Sequence, residues 1–132
     1  MESRPEAQGQ GTKSVLLVDD DALTRVLYTR CLKNEDLEIV CVSSAREGLA
    51  LLDQRKFDLL LLDIIMPEVT GLDMLEQLVT DSPEALPPVI MLSAMQDTAI
   101  TEKCKSLGAI SVLIKPVPAA ILRVQVRQVL ES

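Results

Sequence analysis

Asp19, Asp20, Asp63, Ser93 and Lys115 each stand at the end of an aliphatic run. Val15-Leu16-Leu17-Val18 leads into Asp19-Asp20-Asp21, and Leu59-Leu60-Leu61-Leu62 into Asp63. Val89-Ile90-Met91-Leu92 leads into Ser93, and Val112-Leu113-Ile114 into Lys115-Pro116. Gathered in one pocket, these carboxylates, hydroxyl and ammonium suit a divalent cation and a phosphoryl group. Carboxylates a few ångströms apart raise one another's pKa, and a hard dication relieves that repulsion. Magnesium takes oxygens in octahedral geometry and uses one or two carboxylates together with water and phosphate oxygens. Lys115, opposite the metal, can neutralise charge on a transferring phosphoryl group, while Ser93 can donate to one phosphate oxygen. Asp63 is alone at the end of its run and is the nucleophile candidate, because carboxylates form aspartyl-phosphates. Asp19 and Asp20 are adjacent and better placed as metal ligands.

Each residue taken singly has an ordinary alternative. Asp63 could cap a loop, Ser93 could be a strand-end hydroxyl, Lys115 a surface charge, and the aspartate triplet a helix cap or a solvated face. Their joint occurrence at successive strand ends is what argues for a site.

Such a site needs elements that bring distant residues to one edge. Aliphatic runs alternate with helical patterns from Lys13 onward, the signature of βαβ units and a parallel sheet. Strands are expected at roughly 14–18, 37–42, 58–62, 88–92 and 111–114, and helices at roughly 22–33, 44–54, 71–80, 97–107 and 118–131. In a parallel α/β sheet the carboxyl ends of the strands share one edge, where ligands bind. Strands 1, 3 and 4 are continuously aliphatic, as expected when helices cover both faces. Strand 2 carries Glu38 and is placed at an edge. Ser43 or Ser44 can cap the second helix, with Glu47 in its first turn. Gly108 follows the fourth helix where a left-handed residue ends it.

In the fifth helix Leu122, Val126, Val129 and Leu130 fall on one stripe that should face the sheet. Ala120, Ile121 and Val124 fall elsewhere, with Val117 joining them if the helix starts early. Residues 1–12, polar and rich in Gly, Gln and Glu, read as a disordered tail, and residues 13–132 as one domain. The chain ends just past the fifth helix, so no output domain is expected.

Composition narrows the function classes. A net charge of −7 argues against direct binding to nucleic acid. With one Tyr and one Phe, the chain lacks a base-stacking platform. Its apolar runs are too short to span a bilayer, and residues 1–12 contain no signal-peptide core. Cys31, Cys41 and Cys104 are widely spaced and no histidine is present, which makes a structural zinc site a poor fit. With unpaired cysteine spacing and no signal-peptide core in residues 1–12, a reduced, cytoplasmic protein is expected.

VLLVDDD, LLLLDIIMP with Gly71 beyond it, IMLSA and VLIKP, in this order, resemble a response-regulator receiver domain over about residues 13–131. The resemblance implies a flavodoxin-like fold, a single doubly wound five-stranded parallel sheet of order 2-1-3-4-5 with five helices. It implies Asp63 as phospho-acceptor, Asp19, Asp20 and Asp63 with the Ile65 carbonyl as the Mg²⁺ site (Mn²⁺ being a substitute), and Ser93 and Lys115 as phosphate contacts. The Lys115–Pro116 bond would be cis. The implied partner is a histidine kinase or a histidine phosphotransfer protein in a two-component or phosphorelay system, and the chain would not be a turnover enzyme. The fourth helix, strand 5 and fifth helix form the surface many receivers use to dimerise or to meet partners, which makes Ile121 and Val124 candidates for a homodimer contact.

Departures from the family pattern fall outside these core residues. Val112 stands where an aromatic is usual and Thr70 where an Asp precedes the glycine. Ile65 and Met95 stand where polar residues are frequent. Three competing readings share some of these features. A haloacid-dehalogenase-like phosphatase also uses a strand-end Asp, but its DxDx(T/V) motif fails because Leu23 follows Asp19-x-Asp21-x. A pseudo-receiver would keep the fold as a docking module without phosphorylation. A flavin site would need a phosphate-cradling loop after strand 1, where the aspartates would repel phosphate.

Overall fold

In the computed structural model, which describes residues 12–34 and 36–132, the aliphatic runs pair into one sheet. Among the described residues strands and helices alternate as β1 Lys13–Val18, α1 Ala22–Leu32, β2 Leu37–Val42, α2 Ala45–Gln54 and β3 Leu59–Asp63. They continue as α3 Gly71–Asp81, β4 Val89–Ser93, α4 Thr98–Ser106, β5 Ser111–Ile114 and α5 Ala119–Leu130, with a 3₁₀ turn at Pro83–Ala85. The strands are all parallel, in the order β2-β1-β3-β4-β5. β3 is therefore central, and β2 lies at an edge as its charge suggested. The expected tail lies outside the described residues apart from Thr12.

Alternation along each central strand fills two cores. Leu16, Val18, Leu60, Leu62, Val89 and Met91 point to the side where α2, α3 and α4 lie, meeting Leu52, Met74, Leu75, Leu78 and Cys104. Val15, Leu17, Leu59, Leu61, Ile90 and Leu92 point to the opposite side and meet Tyr28 and Leu32 of α1 and Leu122 and Val126 of α5. Each fully buried Leu or Ile contributes roughly 1.5–3 kcal/mol relative to exposure. This two-sided burial explains why the central strands read as unbroken apolar runs rather than alternating ones.

Caps start the helices where the sequence supplies a short polar side chain. Asp21 accepts from the Thr24 amide at 2.9 Å to open α1, and Ser44, not Ser43, accepts from the Glu47 amide at 3.2 Å to open α2. Glu47 in turn accepts from Ser43, through its amide at 2.9 Å and its hydroxyl at 3.0 Å. Thr70 and Asp73 form a reciprocal capping box on α3, and Asp97 caps α4. Caps of this kind are each worth about 1 kcal/mol. Gly108 takes φ 107°, the left-handed value that lets the chain leave α4 for β5.

Two corrections concern strand ends and one concerns the last helix. β3 and β4 begin one residue later than expected: Pro88 has no amide to give a ladder, and Asp58 joins β1 only through its amide, which donates to the Ser14 carbonyl at 2.8 Å, and its side chain. Asp63 and Ser93 are accordingly the last paired residues of their strands, opposite Leu92 and Ile114. Val117 does not join an exposed patch on α5. It is 8 % exposed, packs in the core beside α1, and its amide donates to the Tyr28 hydroxyl at 3.3 Å.

Candidate functional site

The sheet order places the ends of β1, β3, β4 and β5 along one edge, and the five residues named from the sequence come with them. Asp19 is fully buried, Asp63 is 3 % exposed and Ser93 5 % exposed, while Asp20 faces solvent. Carboxylate oxygens of Asp19, Asp20 and Asp63 lie within 4.8 Å of one another. The Lys115 ammonium reaches in from beyond β5, 2.9 Å from Asp19 Oδ2 and 3.5 Å from Asp63 Oδ1. The Lys115–Pro116 peptide is cis. The Lys115 amide donates to the Ser93 carbonyl at 2.7 Å, so the β4 and β5 ends are stitched together at the site itself.

The electrostatics follow from burial. Removal from water pushes the Asp63 carboxyl up to about 6, the Asp19 charge adds to the rise, and Lys115 and the Ile65 amide oppose it. For Lys115, burial is the largest single influence and acts against the charged form. The Asp19 hydrogen bond and the charges of Asp63 and Asp19 nevertheless hold its ammonium above the ordinary lysine range. Three carboxylates against one ammonium leave an excess of negative charge. Oxygen-only donors at this spacing fit a hard divalent cation such as magnesium, and they fit poorly to a soft metal.

Three residues beside the cluster make contacts of their own. The Ser93 hydroxyl is turned toward its own loop, donating to the Met95 carbonyl at 2.7 Å and accepting from the Met95 amide at 3.1 Å. Asp21, which follows Asp19 and Asp20 in the sequence, is outside the cluster. The Thr24 hydroxyl and amide draw its carboxyl below the usual range and fix it as the α1 cap. Ile65 meets Asp63 through its backbone amide, and its side chain is 47 % exposed.

Further residues shape the site without having been singled out as site residues. The Arg25 guanidinium, one turn into α1, donates to the Asp19 carbonyl at 2.6 Å and clamps the β1–α1 turn. Its spacing of six residues after Asp19 is the only sequence signal for this. Gly71 is buried where α3 begins. A β-carbon there would overlap the Asp63 carbonyl oxygen and sit 3.0 Å from the Ile64 Cα. The Gly71 amide donates to the Ile64 carbonyl at 2.8 Å, which closes the loop carrying Ile65 and Met66.

A family model described as the response regulator receiver domain matches residues 15–127. The chain is 33 % identical over 131 residues to the alginate biosynthesis transcriptional regulatory protein AlgB of Pseudomonas aeruginosa, covering 99 % of this chain and 28 % of that protein. It spans less than a third of the length of the curated relatives it matches. Among solved structures, a CheY-like response regulator receiver domain protein from Methanospirillum hungatei superposes with a TM-score of 0.82 at 28 % identity, covering 91 % of this chain and 94 % of that one. Vibrio cholerae chemotaxis protein CheY4 superposes with a TM-score of 0.81 at 26 % identity, covering 89 % and 98 %.

Proposed function

This chain belongs to the response regulator receiver domain family of two-component systems, and from that premise we propose that Asp63 accepts a phosphoryl group from a phosphohistidine donor. The observation that carries the reading is the position of Asp63. It is a buried carboxylate at the end of the central strand, close to two further carboxylates and 3.5 Å from a lysine ammonium. With its pKa near 6, Asp63 is ionised at neutral pH and available as a nucleophile.

In the transfer, an Asp63 oxygen attacks phosphorus in line as the donor's N–P bond breaks, with the electron pair of that bond returning to the imidazole nitrogen. Lys115 balances charge on the phosphoryl oxygens. The Ser93 hydroxyl leaves Met95 and donates to one of those oxygens. Asp19, Asp20 and Asp63, with the Ile65 carbonyl of the family pattern, would hold Mg²⁺, or Mn²⁺ in its place. When bound, the ion would supply positive charge that offsets the carboxylate and phosphoryl charge. The chain turns over no other substrate in this reading.

Exposed apolar residues beside the pocket support a docked helical partner. Leu23 and Leu27 lie one turn apart near the start of α1 and are 64 % and 50 % exposed. A histidine kinase or phosphotransfer helix laid on them would bring its phosphohistidine to Asp63. The net charge of −7 disfavours nucleic acid as a direct partner. No helix among the described residues is long and apolar enough to cross a membrane.

Incubation with acetyl phosphate and Mg²⁺, followed by intact mass, tests the assignment. One phosphoryl group should add to the parent and none to Asp63→Asn. Asp58→Asn should still be labelled, because Asp58 accepts from the Ser14 amide at 2.8 Å at the far end of β3. Equal labelling of Asp63→Asn would remove Asp63 from the role.

A further inference from the structure

The methionines among the described residues differ sharply in exposure. Met66, Met74 and Met91 are 5 %, 0 % and 0 % exposed, whereas Met95 is 50 % exposed. Met95 is also the residue whose amide and carbonyl both bond the Ser93 hydroxyl, which fixes it at the phosphoryl pocket. A thioether in solvent is readily converted to a sulfoxide, which replaces an apolar side chain by a polar, hydrogen-bond-accepting one. The buried methionines are shielded from that reaction.

We propose that Met95 is an oxidation site, and that its sulfoxide shortens the life of the phosphoryl group on Asp63. The second half rests on the phospho-acceptor reading above. With hydrogen peroxide as oxidant, the sulfur lone pair attacks one peroxide oxygen. The S–O bond forms as the O–O bond breaks, and sulfur gives up two electrons. The departing oxygen takes the proton of the transferred one and leaves as water, so the products are the sulfoxide and one water. Loss of the phosphoryl group requires a water in line behind phosphorus, and Ile65 and Met95, two residues after Asp63 and Ser93 and about half exposed, offer that water no strong acceptor. The sulfoxide oxygen supplies one.

The test exposes the full chain to graded hydrogen peroxide and then to dithiothreitol, which reverses oxidation of the half-buried Cys31 and Cys41 but leaves sulfoxide in place. Peptide mass mapping should place the added oxygen on Met95 well before Met66, Met74 or Met91. Even distribution over these four would overturn the site. Treated and untreated chains are then loaded with acetyl phosphate and Mg²⁺ and followed for phosphate release. Release should be about two- to tenfold faster after oxidation, the scale of one neutral hydrogen bond. The gain should vanish in Met95→Leu and be reversed by a methionine sulfoxide reductase. Equal release before and after complete oxidation of Met95 would overturn the coupling. An untreated chain that takes no phosphoryl group would overturn the phospho-acceptor reading and the coupling with it, while the peptide map would still decide the oxidation site.

Discussion

Asp63 binds its proton more tightly in the folded chain than in the unfolded one, with a pKa raised from 3.8 to about 6 by burial and the Asp19 charge. Between those values the folded state holds the extra proton, so stability falls as pH rises through the window and the full penalty is present above about pH 6. Removing the charge should relieve it. Metal-free Asp63→Asn is expected to be more stable than the parent at pH 7.5 by on the order of 3 kcal/mol, a figure in which the favourable Lys115 contact is already included. The difference should close as pH falls toward 4, which thermal melts across that range would check. An advantage that grew on acidification would contradict this assignment of charge. Ile65 and Met95 allow a second test. Ile65→Asn with Met95→Glu should release phosphate faster than the parent, because both new side chains can orient water, and release at equal or slower rates would count against a role for these two positions. At this scale the identities of Asp19, Asp20, Asp63 and Lys115 were legible from residue type and spacing. The Ser93 orientation was not, because it depends on a two-residue loop whose backbone offers both a donor and an acceptor.

Strands were legible because a continuous aliphatic run between polar ends has few other uses in a short α/β chain. Helix starts were legible where Asp, Ser or Thr could cap them. Helix faces were less so on α1, where Leu23, Val26 and Leu27 are exposed while Tyr28 and Leu32 are buried, so hydrophobicity alone does not mark the inner face. Gly71 was visible only as a glycine after Met66-Pro67. Its reason is tertiary, since α3 starts against the carbonyl of Asp63. Gly71→Ala should therefore cost about 2 kcal/mol or more, because a methyl group must displace backbone rather than a flexible side chain. The displaced backbone belongs to the proposed phospho-acceptor, so phosphorylation by acetyl phosphate should slow as well. Normal melting and normal labelling of Gly71→Ala would show that the α3 start has slack.

Across the described residues, five of the eight large exposed hydrophobic side chains lie on α1 and α5, namely Leu23, Val26, Leu27, Ile121 and Val124. Leu122 and Val126 are fully buried, and Val129 and Leu130 pack partly against the same core, as the stripe reading expected. Ile121 and Val124 are 47 % and 52 % exposed. Isolated aliphatics on a surface are ordinary, and an isologous dimer through α4, β5 and α5 would cover these two. Ile121→Glu and Val124→Lys are expected to weaken self-association or partner binding while leaving Asp63 labelling intact. Sedimentation giving a strict monomer with and without beryllofluoride, with partner affinity unchanged in both variants, would dismiss that interface.

The ion pair between Lys115 and Asp19 spans 96 positions of the chain. Contacts of such high sequence separation form late, since loop-closure entropy must be met before they contribute. During synthesis the aspartates leave the ribosome well before Lys115 exists, and the acidic cluster has no resident cation until β5 docks beside β4. A nascent or truncated chain thus carries the acceptor aspartate without the lysine set against it. Under the role proposed for Asp63, readiness for phosphorylation would report that the last strand is in place, and an unfinished chain would be silent as a signalling molecule.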